Sequence, residues 1–302
     1  MRERGATSAE RRAGHGDGSR PGGPPPNDTI PPPPAATGTE RSPVEPSSLD
    51  ARRSSPASLW VIDLGRRAYA EVLELQRAVA RARIAGEIPE DVLLLVEHPP
   101  VVTLGRSARS ASHLVASPAL LTARGVELFE VERGGDVTFH GPGQLVGYPI
   151  IDLKRHKQDL HWYLRQVEEA LIVALARYGL RADREPKYTG VWLGDEPDVV
   201  GGRRKIASIG VHARDWVTWH GFALNVDTDL SYFDLIVPCG IAGVTMTSMR
   251  RELGEAAPDL ATFAGAAAAG FGEVFGLRVE PVPPERLGVA AEVAASAGFA
   301  AR

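Results

Sequence analysis

The stretch that decides the fold is "YTGVWLGDEPDVVGGRRKIASIGVHARDWVTWHGFALNV", Tyr188 to Val226. Three β-type runs, YTGVWLG, KIASIGVHAR and WVTWHGFALNV, follow one another there with no helical pattern between them. A doubly wound sheet would show regular alternation of strand and helix, and this stretch lacks it. The reading is therefore an α+β fold, a mixed or antiparallel sheet with flanking helices.

Working outward, "SLWVIDLG" (58–65) reads as a strand and "AYAEVLELQRAVARARIAGEIP" (68–89) as an amphipathic helix, with Val72, Leu75, Val79 and Ala82 near helical spacing. "DVLLLVEHPP" (91–100) is a continuous apolar strand stopped by prolines, and "VVTLG" (101–105) is the next strand. "PALLTARG" (118–125) has proline at its start and glycine at its end, the marks of a short helix. "VELFEVER" (126–133) alternates as a strand and leads to a glycine-rich loop, after which "QLVGYPIIDL" (144–153) is another strand. Asp159 suits an N-cap for the helix 160–179, and a last helix is expected around Leu260 to Phe275.

Residues 1–57, with the run "PGGPPPNDTIPPPP", hold almost no large apolar side chains and are expected to form a disordered Pro/Gly-rich tail. The composition of 58–280 is that of a globular domain, which permits an enzyme without demanding one, and 281–302 is expected to be a C-terminal tail. With 34 basic and 38 acidic residues and a formal charge of −4, the chain gives no nucleic-acid footprint. No apolar run reaches membrane-spanning length, no secretory signal is visible, and a single cysteine allows no internal disulfide. The expectation is a cytoplasmic protein with no membrane contact.

Three segments carry candidate chemistry. "RGGDVTFHGPGQ" (133–144) combines Arg133 and His140 with Gly134, Gly135, Gly141 and Gly143, which let a ligand approach main-chain N–H groups. It is neither a Walker loop nor a dinucleotide fingerprint. Lys205 stands where a loop enters a strand, and strict alternation would put Lys205, Ala207 and Ile209 on one face and Ile206, Ser208 and Gly210 on the other. Such a lysine is either a solvated strand-end charge or an inward group prepared by desolvation for acid–base work. Cys239, between Pro238 and Gly240, is either a small buried hydrophobe or a reactive thiol at a turn. An unperturbed thiol of pKa about 8.5 is only about 3% thiolate at pH 7, so a nearby cation would matter. No histidine spacing suggests a metal site, and His212 and His220 read as structural or binding residues.

Taken together, "RGGDVTFHGPGQLVGYP", "GGRRKIASIGVHAR", "HGFALNV" and "PCGI", in this order, resemble the octanoyltransferases of lipoate biosynthesis, as does the earlier "LLLVEHPPVVTLGRSA". The resemblance implies a fold similar to the catalytic domain of biotin and lipoate protein ligases. It also implies transfer of an octanoyl group from acyl carrier protein to a lysine of lipoyl domains, those of 2-oxoacid dehydrogenase complexes and the glycine cleavage H protein. By motif, Cys239 matches the acyl-accepting cysteine and Lys205 its partner. Arg133, Gly134, Gly135, Asp136, Val137, Thr138, Phe139 and His140, then Ser208, Ile209 and Gly210, then Gly221, Phe222 and Ala223, match the segments lining the acyl site. No cofactor and no metal are implied. Two other readings differ in what they need: an ATP-dependent ligase would require an acyl-adenylate site and no nucleophilic cysteine, and a docking module would bind carrier without turnover.

Overall fold

The computed structural model describes residues 57–108, 113–186, 188–194, 202–238 and 244–289. The expected Pro/Gly-rich tail lies outside these residues, except for Ala57.

The apolar run 91–97 shows how the core is built. It forms β2 (Asp91–Glu97), whose Leu93 and Leu95 enter one buried cluster with Leu59 and Val61 of β1 (Ser58–Arg66). Val92, Leu94 and Val96 enter a second cluster with Trp60, Ile62 and Leu64. Strands buried on both faces need cover on both. Helix α1 (Tyr69–Ala85) supplies Val72, Leu75, Val79 and Ala82 to the second cluster, the four residues whose spacing marked it as amphipathic. Helices α3 (Leu160–Ala176) and α5 (Leu260–Phe275), separated in the chain by the short α4 (Met249–Leu253), cover the other face with Val167, Leu171, Phe263 and Phe271.

The remaining strands are β3 (Val101–Leu104), β4 (Glu127–Glu130), β5 (Val137–His140), β6 (Gln144–Ile150), β7 (Ala182–Glu185), β8 (Tyr188–Leu193), β9 (Arg204–Arg214), β10 (Val217–Asn225), β11 (Thr245–Met246) and β12 (Arg278–Pro281). Among the described residues the large sheet has nine strands, ordered β12-β1-β2-β6-β10-β9-β8-β7 with β11 beside β9. β1 lies parallel to β12 and β2, and β11 parallel to β9; from β2 to β7 every neighbour is antiparallel. A small sheet, β4-β3-β5, holds the middle of the glycine-rich segment. The sheet is mixed, within the expected α+β fold; the stretch 188–226 itself is antiparallel, and the parallel pairs are those of β1 and β11.

Local chemistry sets the ends of these elements. Asp159 accepts from Trp162 N at 3.0 Å and starts α3, while the Ser117 side chain and Pro118 start α2 (Pro118–Ala123). Asp215 and Trp216 join β9 to β10 with φ of 50° and 64°, the left-handed pair of a two-residue hairpin turn whose twist matches the strands. The small-residue run "FAGAAAAGF" is explained where α5 crosses α3: a Cβ on Gly270 would lie 2.3 Å from the Ala170 carbonyl oxygen.

The fold continues past the expected boundary at residue 280. β12 runs to Pro281, a 3-10 turn Pro284–Leu287 buries Leu287, and Val282 and Val289 pack on the Trp60 cluster. Prolines at 281, 283 and 284 leave no long periodic run in this segment, although Val282, Leu287 and Val289 join the Trp60 cluster.

Candidate active site

Lys205 is 1% exposed, and the reason is an irregularity in β9. Val191 pairs with Ala207 and Trp192 with Lys205, so Ile206 is an extra residue on β9. One extra residue reverses the alternation beyond it. The assignment of Lys205, Ala207 and Ile209 to one face is therefore corrected: Ala207 enters the core with Val191, whereas Lys205 is presented with Trp192, its Nζ 5.1 Å from the indole centroid. The Nζ donates to the Thr189 carbonyl at 3.0 Å. The side chain reaches that oxygen by crossing over Gly190, where a Cβ would stand 2.6 Å from Lys205 Cε.

Lys205 borders a cavity of about 610 Å³. Its walls are the segments 133–138, 208–211 and 220–223 with Tyr69, His140, Val146 and Tyr148, and Leu160, His161, Leu164, Tyr188 and Thr189 complete the lining. Leu160 and Tyr188 are 39% exposed, which places the solvent opening on their side. The glycine-rich segment crosses the large sheet here, held by the Gly134 N–H donating to the Val211 carbonyl at 2.8 Å. Arg133 spans the same corner. Its Nη2 donates to the Thr103 carbonyl at 2.7 Å and to Thr103 Oγ1 at 2.9 Å, Nε donates to that oxygen at 3.2 Å, and Nη1 donates to the Gly134 carbonyl at 3.1 Å.

Every described member of the expected acyl-site segments reaches this cavity except Phe139. Alternation along β5 turns Phe139 into the small-sheet core, stacked on Tyr232 at 4.7 Å between ring centroids, while Thr138 and His140 line the cavity. Cys239 lies outside the described residues, together with Gly240 to Gly243. The chain that follows returns directly to Lys205: Thr245 and Met246 pair with Arg204 and Lys205, and Thr247 N donates to the Lys205 carbonyl at 3.0 Å.

Buried histidines set the polarity of the inner wall. Gln144 Nε2 donates to the Phe139 carbonyl and to Asn225 Oδ1, so Gln144 Oε1 accepts, at 2.9 Å, from a proton on His140 Nδ1. His140 is thus a neutral imidazole with Nε2 unprotonated; burial, reinforced by the neighbouring His98, lowers its pKa to about 3. His98 donates from Nδ1 to the Arg67 carbonyl and accepts the Tyr148 hydroxyl at Nε2, both at 2.8 Å, and burial lowers its pKa to about 4. Tyr69 stacks on His140, and burial raises its phenol to about 12. His220, read as structural or binding, lines the cavity with φ of 57°; its Nε2 is 3.7 Å from Glu132 Oε1, beyond hydrogen-bond range. His212 packs instead against Trp219.

Tyr69, Val146 and Tyr148 were not singled out from the sequence. They sit on elements read as plain core: Val146 and Tyr148 reach the site on β6, which pairs with β10, and Tyr69 reaches it from the first turn of α1, stacked on His140. Among the described residues no group of three or more histidine, cysteine, aspartate or glutamate side chains could hold a metal ion, and no helix is long and apolar enough to cross a membrane.

Comparison with known proteins agrees with this arrangement. Residues 68–272, well over half of the chain, match the Lipoyl protein ligase A/B catalytic domain family. An octanoyltransferase of Rubrobacter xylanophilus is 54% identical over 209 residues, covering 69% of this chain and 89% of that protein. An octanoyltransferase of Gloeobacter violaceus is 45% identical over 221 residues, covering 73% and 92%. Among solved structures, the bi-partite lipoate protein ligase of Thermoplasma acidophilum, described with its E2 lipoyl domain, has a TM-score of 0.58 at 15% identity, covering 78% of this chain and 92% of that one. A lipoate-protein ligase A bound with ATP gives a TM-score of 0.57 at 15% identity, covering 79% and 94%. At such identity these structures speak for the fold alone. The chain belongs to the Lipoyl protein ligase A/B catalytic domain family and, within it, to the octanoyltransferases, enzymes that transfer acyl groups.

Proposed function

We propose that the chain moves an octanoyl group from acyl carrier protein to a specific lysine of lipoyl domains through a thioester on Cys239, in the cytoplasm. The observation that carries this reading is the placement of Lys205: a buried amine beside a cavity of about 610 Å³, with the strand that follows Cys239 paired to it.

In the first half-reaction the Cys239 thiol passes its proton to Lys205 and the sulfur attacks the octanoyl thioester carbonyl. The carbon–sulfur bond to the carrier breaks, and the carrier thiolate leaves with the proton from Lys205. In the second half-reaction the acceptor lysine amine attacks the acyl-enzyme and its proton passes to Lys205; the carbon–sulfur bond to Cys239 breaks, and Lys205 returns the proton to the departing sulfur, which restores the thiol and the neutral amine. The thioester arrives activated, so the scheme needs no ATP. The wall of 133–138, 208–211 and 220–223 supports an acyl-site role, with His140 held neutral by burial beside it. The acceptors under this reading are the lipoyl domains of 2-oxoacid dehydrogenase complexes and the glycine cleavage H protein.

Intact mass after incubation with octanoyl carrier protein tests it. The expected result is one octanoyl adduct, absent in Cys239→Ala and lost on addition of a lipoyl domain. No adduct, or an adduct that persists in Cys239→Ala, rejects the scheme. Cys239 is the only cysteine in the chain, so its alkylation rate against pH reports one group. Lys205→Ala should move that profile to higher pH by about one unit or more; coincident profiles would remove Lys205 from its assigned role.

A further inference from the structure

The peptide group that receives Lys205 is held from its other end by a buried carboxylate. Thr189 and Gly190 share one peptide unit: its carbonyl accepts from Lys205 Nζ at 3.0 Å, and its N–H donates to Glu168 Oε1 at 3.0 Å. Glu168 comes from α3, and its side chain is fully buried. The other oxygen, Oε2, meets Arg165 Nη1 at 2.6 Å and Arg184 Nε at 3.3 Å. The carboxylate is therefore fixed by two cations at Oε2, and its Oε1 is turned to the Gly190 N–H.

Three departures from regular structure converge on this unit. The extra residue at Ile206 turns Lys205 toward β8, Gly190 takes φ of 136° and clears the path of the lysine side chain, and a glutamate occupies the apolar stripe of α3. A buried carboxylate among core residues costs desolvation free energy and is retained where its hydrogen bonds do something. Hydrogen bonds in series through one amide polarise each other, so an anion on the N–H strengthens the carbonyl as an acceptor.

We propose that Glu168 is a positioning residue for the transfer reaction: acting through the Thr189–Gly190 peptide, it fixes Lys205 Nζ at the cavity. The inference rests on the reading of Lys205 as the partner of Cys239. It assigns Glu168 no contact with substrate.

The experiment measures steady-state transfer and the pH profile of Cys239 alkylation in Glu168→Gln, Arg165→Met, Lys205→Ala and the Glu168→Gln/Lys205→Ala double variant. Glu168→Gln is expected to lower kcat about tenfold with KM for octanoyl carrier protein little changed, and to move the alkylation profile toward that of Lys205→Ala. In the Lys205→Ala background the same substitution should add nothing. Arg165→Met removes one ion pair of Glu168 but leaves the peptide link, so it should lower the melting temperature without moving the profile. A Glu168→Gln profile that coincides with wild type, a Glu168→Gln effect undiminished in the Lys205→Ala background, or an equal shift in Arg165→Met overturns the proposal. If Lys205→Ala itself leaves the profile in place, the underlying role of Lys205 fails instead. Should Glu168→Gln not fold, the link is read from its other end: the Gly190 amide proton resonance must move upfield in Lys205→Ala, and an unchanged resonance rejects the coupling.

Discussion

Gly190 is the residue on which the placement of Lys205 depends most. Its φ of 136° lies where side chains are rarely tolerated, and an added Cβ would stand 2.6 Å from both Lys205 Cε and the Ala207 carbonyl. The lysine stem could yield to such an atom, but the backbone oxygen has little room to move. Gly190→Ala should therefore cost about 1–3 kcal/mol of stability and lower transfer further than the loss of fold explains. A melt combined with single-turnover acylation separates the two effects. Normal acylation in the fraction that remains folded would show that Lys205 tolerates the displacement. Arg133 makes a contrasting case. Its oddity was plain from the sequence, but its guanidinium is engaged by Thr103 and Gly134 as it borders the cavity. Arg133→Lys keeps the charge and loses the fork, so the corner between the two sheets should loosen and stability should fall by about 1.5–3 kcal/mol in denaturant titration.

At the scale of elements, the packing of α5 on α3 is set by Gly270, and Gly270→Ala should force the helices apart at Ala170. Overpacking of this kind costs roughly 1–3 kcal/mol, visible as a lower melting temperature. An unchanged melt would mean that the crossing has slack. Most elements were legible because periodicity survives in them: the stripe Val72, Leu75, Val79 and Ala82, the cap at Asp159, and the apolar run of β2 all fold as their patterns require. The misreadings share a different cause. A single extra residue at Ile206 leaves no trace in composition, yet it reverses the face of Lys205. The glycine-rich segment read as a loop contains β5, and two-residue alternation within it separates Phe139 from His140. Glu168 did leave a signal: it interrupts the row Leu164, Glu168, Leu171 and Leu175 at spacings of four, three and four, where a core helix wants an apolar residue. Cys239 and Lys205 are linked in the sequence only through the family resemblance, because pairing of β11 with β9 is a long-range event that no local pattern encodes.

For the whole molecule, burial of titratable groups fixes the direction of its acid response. His98 and His140 are held neutral, with pKa values lowered by burial to about 4 and about 3. In the unfolded chain both return to about 6.5. Above that pH neither state binds these protons and the histidines contribute no slope. As pH falls from 6.5 toward 4, the unfolded state takes up protons that the folded state refuses, so each histidine removes about 1.4 kcal/mol of stability per pH unit. Asp91 acts in the same direction at lower pH. Burial works against its carboxylate, but His156, the Asp152 N–H and Arg83 outweigh that and hold its pKa below the ordinary value, so the stability it supplies above its unfolded pKa is lost as pH falls toward the folded one. The unfolding midpoint in urea should therefore fall steeply between pH 6.5 and pH 4. The double variant His98→Gln/His140→Gln should begin less stable at pH 7, because the Tyr148 and Gln144 hydrogen bonds are disturbed, yet show a much shallower slope over that interval. If wild type and double variant lose stability in parallel as the pH falls, His98 and His140 do not set the acid limit, and the Asp91 carboxylate and the buried His220, whose pKa burial also lowers, are left as its source.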